Sequence, residues 1–169
     1  TWGDHIGEWM DMYGDRKGSE VHRVCIIAPR GHSKSTTLRV KLLHQCLFGK
    51  WNGDRPFTCW LISASKDTAI RRLQEIRDDM RRHPQLSRYL DPKKGNKTEI
   101  HFTNGAWIMA TSVGSAICGE HPACVAFDDV LVDSDEMNPT VLQQWFRKAI
   151  TPMLSPGSSF YVVGTPMSM

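Results

Sequence analysis

The sequence predicts an α/β fold in which a mostly parallel sheet is flanked by helices and carries an antiparallel hairpin. Three observations lead there. Short, wholly apolar runs alternate with stretches whose apolar residues recur at helical spacing, and runs lacking polar alternation are what strands covered on both faces require. Polar clusters follow directly on the carboxyl ends of three of those runs, at 29–36, 128–129 and 164–165. One Asn104-Gly105 dipeptide separates two further strand-like runs, a strong hairpin signal. A length of 169 residues and 40% apolar content suit one globular domain, expected over 1–169.

The first strand is Arg23 to Ala28, RVCIIA, which ends at Pro29 and Gly31. Ser35 to Phe48 then places Leu38, Leu42, Leu43 and Leu47 at helical spacing. A second strand, Thr58 to Ala64, leads into Ser65 as a helix cap and into Ala69, Ile70, Leu73, Ile76 and Met80, with Pro84 as the stop. The outer face of that helix carries Arg71, Arg72, Arg77, Arg81 and Arg82, which fit either a phosphate backbone or a solvated face balanced by Asp78 and Asp79. The solvated face is the expectation.

Glu99 to Thr103 and Ala106 to Thr111 flank Asn104-Gly105, read as a two-residue turn with positive φ at both positions. Ala123 to Phe127, ACVAF, is an apolar strand ending in Asp128-Asp129, and Phe160 to Val163 is another ending in Gly164-Thr165. Between them Asn138 can cap a helix beginning at Pro139, with Val141, Leu142, Trp145, Phe146 and Ile150 inward and Thr151-Pro152 closing it. In mostly parallel sheets, ligands bind beyond the carboxyl ends of the strands. All three polar clusters lie at such ends.

Net charge is +3 and the isoelectric point about 8.6, which permits a nucleic-acid partner without demanding one. No apolar run approaches the roughly 20 residues of a membrane helix, and the N-terminus lacks the order of a secretory signal. The expectation is a cytosolic chain with no membrane contact. Five cysteines is an odd count, and Cys25, Cys59 and Cys124 lie inside apolar runs, where a thiol packs as a small hydrophobe. Cys118, His121 and Cys124 form a C-x₂-H-x₂-C spacing, but without a fourth ligand nearby it makes a poor zinc site. His44 and His101 have no partner at catalytic spacing and are read as structural.

The strict phosphate-loop pattern is G-x-x-x-x-G-K-[ST], and Ala28 to Ser35 matches it without either glycine. The physics survives: a strand, a loop with Gly31 and small Ser33, and then Lys34-Ser35-Thr36 opening a helix whose first amides favour an anion. Lys34 would reach the β- and γ-phosphates, Ser35 would ligate Mg²⁺, Thr36 would serve the α-phosphate side and Arg30 would add charge near the γ-phosphate. The same residues also suit an ordinary helix start capped by Ser33 or Ser35. Asp128-Asp129 favours the nucleotide reading: at a buried strand end, Asp128 can order the metal's water shell and Asp129 can polarise an attacking water. A surface turn running on into Asp133, Asp135 and Glu136 is the alternative.

In order, these segments resemble the large terminase subunits, the ATP-driven DNA-packaging motors of tailed bacteriophages. The resemblance rests on Pro29, Arg30, Gly31, His32, Ser33, Lys34, Ser35 and Thr36, on Ser63-Ala64-Ser65 before an amphipathic helix, on the hairpin, on Gly119-Glu120-His121 before Asp128-Asp129, on Pro152 to Gly157 and on Gly164-Thr165-Pro166. It implies a P-loop NTPase fold of the additional-strand type, with the strand ending at Gly164-Thr165 lying between the phosphate-loop strand and the Asp128 strand. It also implies ATP and Mg²⁺ as ligands, Ser35 and Asp128 at the metal, Asp129 and Arg30 as catalytic residues, and Gly164-Thr165 as the coupling motif.

The implied partners are double-stranded DNA, a portal protein, a small terminase subunit and copies of the same chain in a ring, a pentamer, with the excised core monomeric. The implied setting is the host cytoplasm, outside the mature particle. Relatives often place glutamate where this chain has Asp129, and an arginine acting in trans where it has Cys118; other arginines, Arg147 among them, could serve that role, and spacing selects none of them. Trp2, Trp9 and Tyr13 would stack on adenine or belong to the core. Relatives continue into a further strand, a lid and a nuclease domain, so the chain is expected to be an excised core. A helicase or repair ATPase, and a nucleotide-binding docking module without hydrolysis, are the rival readings.

Overall fold

The computed structural model describes residues 3–13, 23–51, 53–117, 121–130 and 139–166. Trp2, Cys118, Gly119, Glu120, Asn138 and the acids Asp133, Asp135 and Glu136 lie outside the described residues. The elements run α1 (Asp4–Met12), β1 (Arg23–Ile27), α2 (Lys34–Phe48), β2 (Lys50–Trp51), β3 (Arg55–Pro56), β4 (Thr58–Ser63), α3 (Lys66–Arg82), α4 (Pro84–Ser87), β5 (Glu99–His101), β6 (Trp107–Ser112), β7 (Cys124–Asp128), α5 (Pro139–Trp145) and β8 (Ser159–Gly164). Pro84, expected only as a stop, also opens α4, because its fixed φ suits a first helical turn.

The main sheet has the order β1-β8-β7-β4-β6-β5, parallel throughout except for β5 against β6, and β2 and β3 form a separate ribbon. β8 therefore lies between the phosphate-loop strand and the Asp128 strand, as the additional-strand type requires. Register levels the carboxyl ends: Ile27 pairs with Gly164, Val163 with Asp128, and Asp128 with Ser63. That levelling brings three polar clusters, far apart in sequence, to one edge.

Strand periodicity divides the core between two faces. Cys59, Leu61, Ala126, Tyr161 and Val163 face α2 and α3 residues Leu38, Leu42, Leu73, Ile76 and Met80. Trp60, Ile62, Val125 and Phe127 face Ile150 and Met153 on the other side. β4 and β7 are buried on both faces, so their unbroken apolar sequences follow from their central place. Each buried leucine contributes roughly 1.5–3 kcal/mol. Helix α3 is capped as expected, with Ser65 Oγ accepting from Thr68 N at 3.2 Å.

Several expectations are corrected. The hairpin loop has three residues: Phe102 N donates to Ala106 O at 2.9 Å, Gly105 N donates to Phe102 O at 3.0 Å, and Gly105 (φ 87) has positive φ while Asn104 does not. Asn104 instead donates its amide to Cys46 O at 2.7 Å and accepts from Ala106 N at 3.0 Å, so its side chain is held both within the turn and across to α2. Val141 is 62% exposed because the sheet-facing side of α5 is Leu142 and Trp145. The helix then passes through a π-helical turn, Phe146–Ile150, which rotates Ile150 into the core. Cys25 is an exposed thiol on an edge strand, unlike buried Cys46, Cys59 and Cys124. Among the described residues, no helix is long and apolar enough to cross a membrane.

Candidate functional site

The loop between β1 and α2 is anchored by Ala28 N, which donates to Gly164 O at 3.0 Å. It turns through two left-handed residues, Gly31 at φ 83 and Ser33 at φ 60. Ser33 occupies the position of the second pattern glycine. The left-handed backbone that glycine adopts at no cost is here carried by serine, at roughly 1–2 kcal/mol. The turn aims the unpaired first amides of α2 along the helix axis.

A cleft of about 430 Å³ opens over this turn. Arg30, Gly31, Ser33, Lys34, Ser35 and Thr36 line it, whereas Pro29 and His32 do not. His32 turns back instead, its Nδ1 3.2 Å from Arg30 O and its ring 5.6 Å from that of His5. The opposite wall is Ala64, Thr68, Arg71 and Arg72, and Asp129 closes one end. Four cations against one carboxylate in the lining suit a polyanionic ligand.

Beneath the loop, Ser35 Oγ donates to Asp128 Oδ1 at 2.6 Å. Asp128 is 2% exposed. Burial holds its carboxyl above the usual range; the Ser35 hydrogen bond and the Arg72 charge oppose that shift, and Asp129 adds to it. Asp129, at φ 47, is turned out of the strand with its N–H on Val163 O at 2.9 Å. Its Oδ1 accepts from Thr165 Oγ1 at 2.9 Å, and its Oδ2 lies 3.6 Å from Lys34 Nζ. Gly164 ends β8 beside Ile27, and a Cβ there would meet Ile27 Cδ1 at 3.2 Å.

The donor set is compatible with magnesium: the Ser35 hydroxyl lines the cleft and hydrogen-bonds the buried Asp128 carboxylate beneath it, and Mg²⁺ is typically held by few protein oxygens, with waters and ligand oxygens completing its shell. Among the described residues, no group of three His, Cys, Asp or Glu is placed to hold a metal.

No family model and no curated protein matches the sequence. Solved structures do match. The chain is similar to the HK97 bacteriophage large terminase with a TM-score of 0.70 at 11% identity, covering 97% of this chain and 33% of that one. It is also similar to the Thermus phage P74-26 large terminase ATPase domain with a TM-score of 0.63 at 15% identity, covering 99% and 71% of the two chains. A variant of that domain carrying an arginine-to-alanine substitution matches with a TM-score of 0.61. The chain has the fold of a phage large-terminase ATPase domain. It spans a third of the length of the HK97 protein.

Within this terminase ATPase fold, Lys34, Ser35, Asp128, Asp129 and Thr165 are brought together, and Arg30 reaches the cleft as an exposed side chain. Tyr13 does not stand free to stack on a base: it is 1% exposed and packs edge-on against Tyr161 at 5.2 Å. Trp9 packs against the same core. Arg147 is exposed and lies on the far face of the sheet, beside Phe146.

Sequence reasoning missed Thr68 and Arg71 in the cleft wall and, above all, Arg72. Assigned to a solvated face, it instead places Nε 2.7 Å from Asp128 Oδ2. Burial lowers its pKa, but the charges of Asp128 and Glu75 outweigh that and hold it above the ordinary arginine value. Arg77 also departs from expectation, donating to Asn96 O at 2.6 Å and Glu99 O at 3.0 Å, whereas Arg82 does pair with Asp79, at 3.5 Å. The available signal was position: Thr68, Arg71 and Arg72 occupy the first two turns of a helix that starts at a strand's carboxyl end.

Proposed function

We propose that this chain is a Mg²⁺-dependent ATPase that powers the movement of double-stranded DNA into a viral shell. The observation that carries the reading is the convergence of Lys34, the Ser35–Asp128 pair and the Thr165–Asp129 pair at the ends of β1, β7 and β8, where Lys34, Ser35 and Asp129 line the cleft. A helix start alone would need no buried carboxylate beneath it, and an acidic surface turn would not bury Asp128.

In this reading the first amides of α2 and the ammonium of Lys34 grip the β- and γ-phosphates, and Arg30 supports the charge that develops on the γ-phosphate. Ser35 and Asp128 would hold Mg²⁺, which supplies Lewis-acid charge to the phosphate oxygens when bound. Asp129 orients the attacking water and accepts its proton. Thr165 restrains the rotation of that carboxylate, so the state of the γ-phosphate is felt at the end of β8. The terminase likeness supports DNA as the load, with a portal protein, a small terminase subunit and a ring of like chains as partners in the host cytoplasm.

Steady-state phosphate release by the full-length protein tests this, with Lys34→Ala and Asp129→Asn as controls. Asparagine tolerates the left-handed backbone at this position, so Asp129→Asn removes the charge without breaking the turn. Both variants should lose at least about a hundredfold in turnover, Asp129→Asn within the range of general-base catalysis and Lys34→Ala within that of losing one charge-stabilising donor. Wild-type turnover no faster than either variant would sink the hydrolytic reading. Stimulation by duplex rather than single-stranded DNA separates a packaging motor from a helicase.

A further inference from the structure

Both oxygens of the Asp128 carboxylate are occupied by protein groups. Ser35 Oγ takes Oδ1 at 2.6 Å and Arg72 Nε stands 2.7 Å from Oδ2. Arg72 also lines the phosphate cleft. Its Nη1 lies 3.3 Å from Glu75 Oε1, and Glu75 is itself gripped by Arg39 Nη1 at 2.9 Å, with Arg39 Nε 3.0 Å from Asp79. The guanidinium is thus hung between two carboxylates, one anchored to α2 and the other belonging to the catalytic strand.

A guanidinium and a divalent cation cannot share one carboxylate without repulsion, because like charges in a part-buried site are poorly screened. We propose that Arg72 is a charge latch: in the nucleotide-free protein it occupies the oxygen of Asp128 that the metal's water shell needs, and it swings off Asp128 toward the phosphates when the site is loaded. The inference rests on the nucleotide reading above. Glu75, fixed by Arg39, is the post that retains the arginine in both positions. The latch also keeps a buried carboxylate paired while the site is empty, when an uncompensated charge would be costly. Arg72 is a positioning residue here, acting through Asp128.

The latch makes Arg72 and Mg²⁺ competitors for Asp128, which a binding measurement without turnover can read. ADP affinity is measured by calorimetry in Mg²⁺ and again in EDTA, and the ratio of the two constants reports the coupling between metal and nucleotide. Arg72→Gln removes the competitor and should raise that ratio about fivefold, of the order of typical coupling between two ligands. Glu75→Gln removes the second carboxylate that shares the Arg72 charge, tightens Arg72 on Asp128 and should lower the ratio by about the same factor. Arg72→Lys, which keeps the charge but loses the fork, should fall between wild type and Arg72→Gln.

Opposite signs for Arg72→Gln and Glu75→Gln are a signature that mere scaffolding does not produce. A fall in the ratio for Arg72→Gln, or shifts in the same direction for both, overturns the latch. If wild type binds no ADP, or Lys34→Ala binds it equally well, the nucleotide reading fails and takes the latch with it. If ADP binding depends on Lys34 but neither ratio moves, the latch alone is refuted.

Discussion

Replacing Thr165 by valine keeps the shape of the side chain and deletes the hydroxyl that donates to Asp129 Oδ1 at 2.9 Å. A hydrogen bond to a charged acceptor is worth roughly 1.5–3 kcal/mol. The Asp129 side chain is 31% exposed, so water compensates for part of the loss and about 1–1.5 kcal/mol remains. The backbone of Asp129 stays pinned by its bond to Val163 O at 2.9 Å, so the substitution frees only the rotation of the carboxylate. At about 1.4 kcal/mol per tenfold, turnover should fall about five- to twelvefold. ATP affinity should hold, because the hydroxyl is on Asp129 and not on the phosphate loop. Steady-state phosphate release at varied ATP, with thermal unfolding run alongside, separates the two parameters. An unchanged kcat, or a loss carried wholly by KM, would refute the assignment of Thr165 to the catalytic carboxylate.

Three further outcomes follow from the geometry. Ser33→Val places a β-branched residue at φ 60 and should cost at least about 1–2 kcal/mol in urea unfolding, while Ser33→Gly should be neutral within about 1 kcal/mol as strain relief offsets backbone entropy. Leu73→Ala, at a side chain 0% exposed between α3 and the sheet, should cost about 2–5 kcal/mol by the same measurement. The pH dependence follows from Asp128, whose carboxyl is raised in the folded state by burial. Its contribution to stability is therefore fully present below the ordinary carboxylate value near ~4 and is lost as pH rises through the raised value. Mg²⁺-coupled ADP binding needs the ionised form, so it should fail on acidification at a higher pH than an ordinary carboxylate dictates. Asp128→Asn should flatten both profiles, read by thermal unfolding and calorimetry across pH.

What the sequence determined by itself was the placing of the main helices and central strands, which depends on neighbours along the chain. Helical spacing of Ala69, Leu73, Ile76 and Met80 marks α3 because one face of a helix must be apolar to pack, and these are its buried residues. Unbroken apolar runs mark β4 and β7 because both faces of a central parallel strand are covered. The loop between β1 and α2 stood out without its glycines because lysine, serine and a helix start adjoin there, and Asp128-Asp129 stood out because acids seldom end a buried run; the structure brings Lys34, Ser35, Asp128 and Asp129 together.

Tertiary structure alone decided which partners those residues meet. The Asn104 amide reaches the carbonyl of Cys46, 58 residues away in the chain, a partner that the dipeptide signal alone does not name. Val141 matches the helical pattern and still faces outward, because nothing among the described residues covers it. Arg72 shares a helix with Arg81 and Arg82, which stay exposed, and it reaches Asp128 only because register sets β4 beside β7 and brings α3 over that strand. Charge pairing depends on distance in space, and for two residues 56 positions apart that distance is set by the sheet.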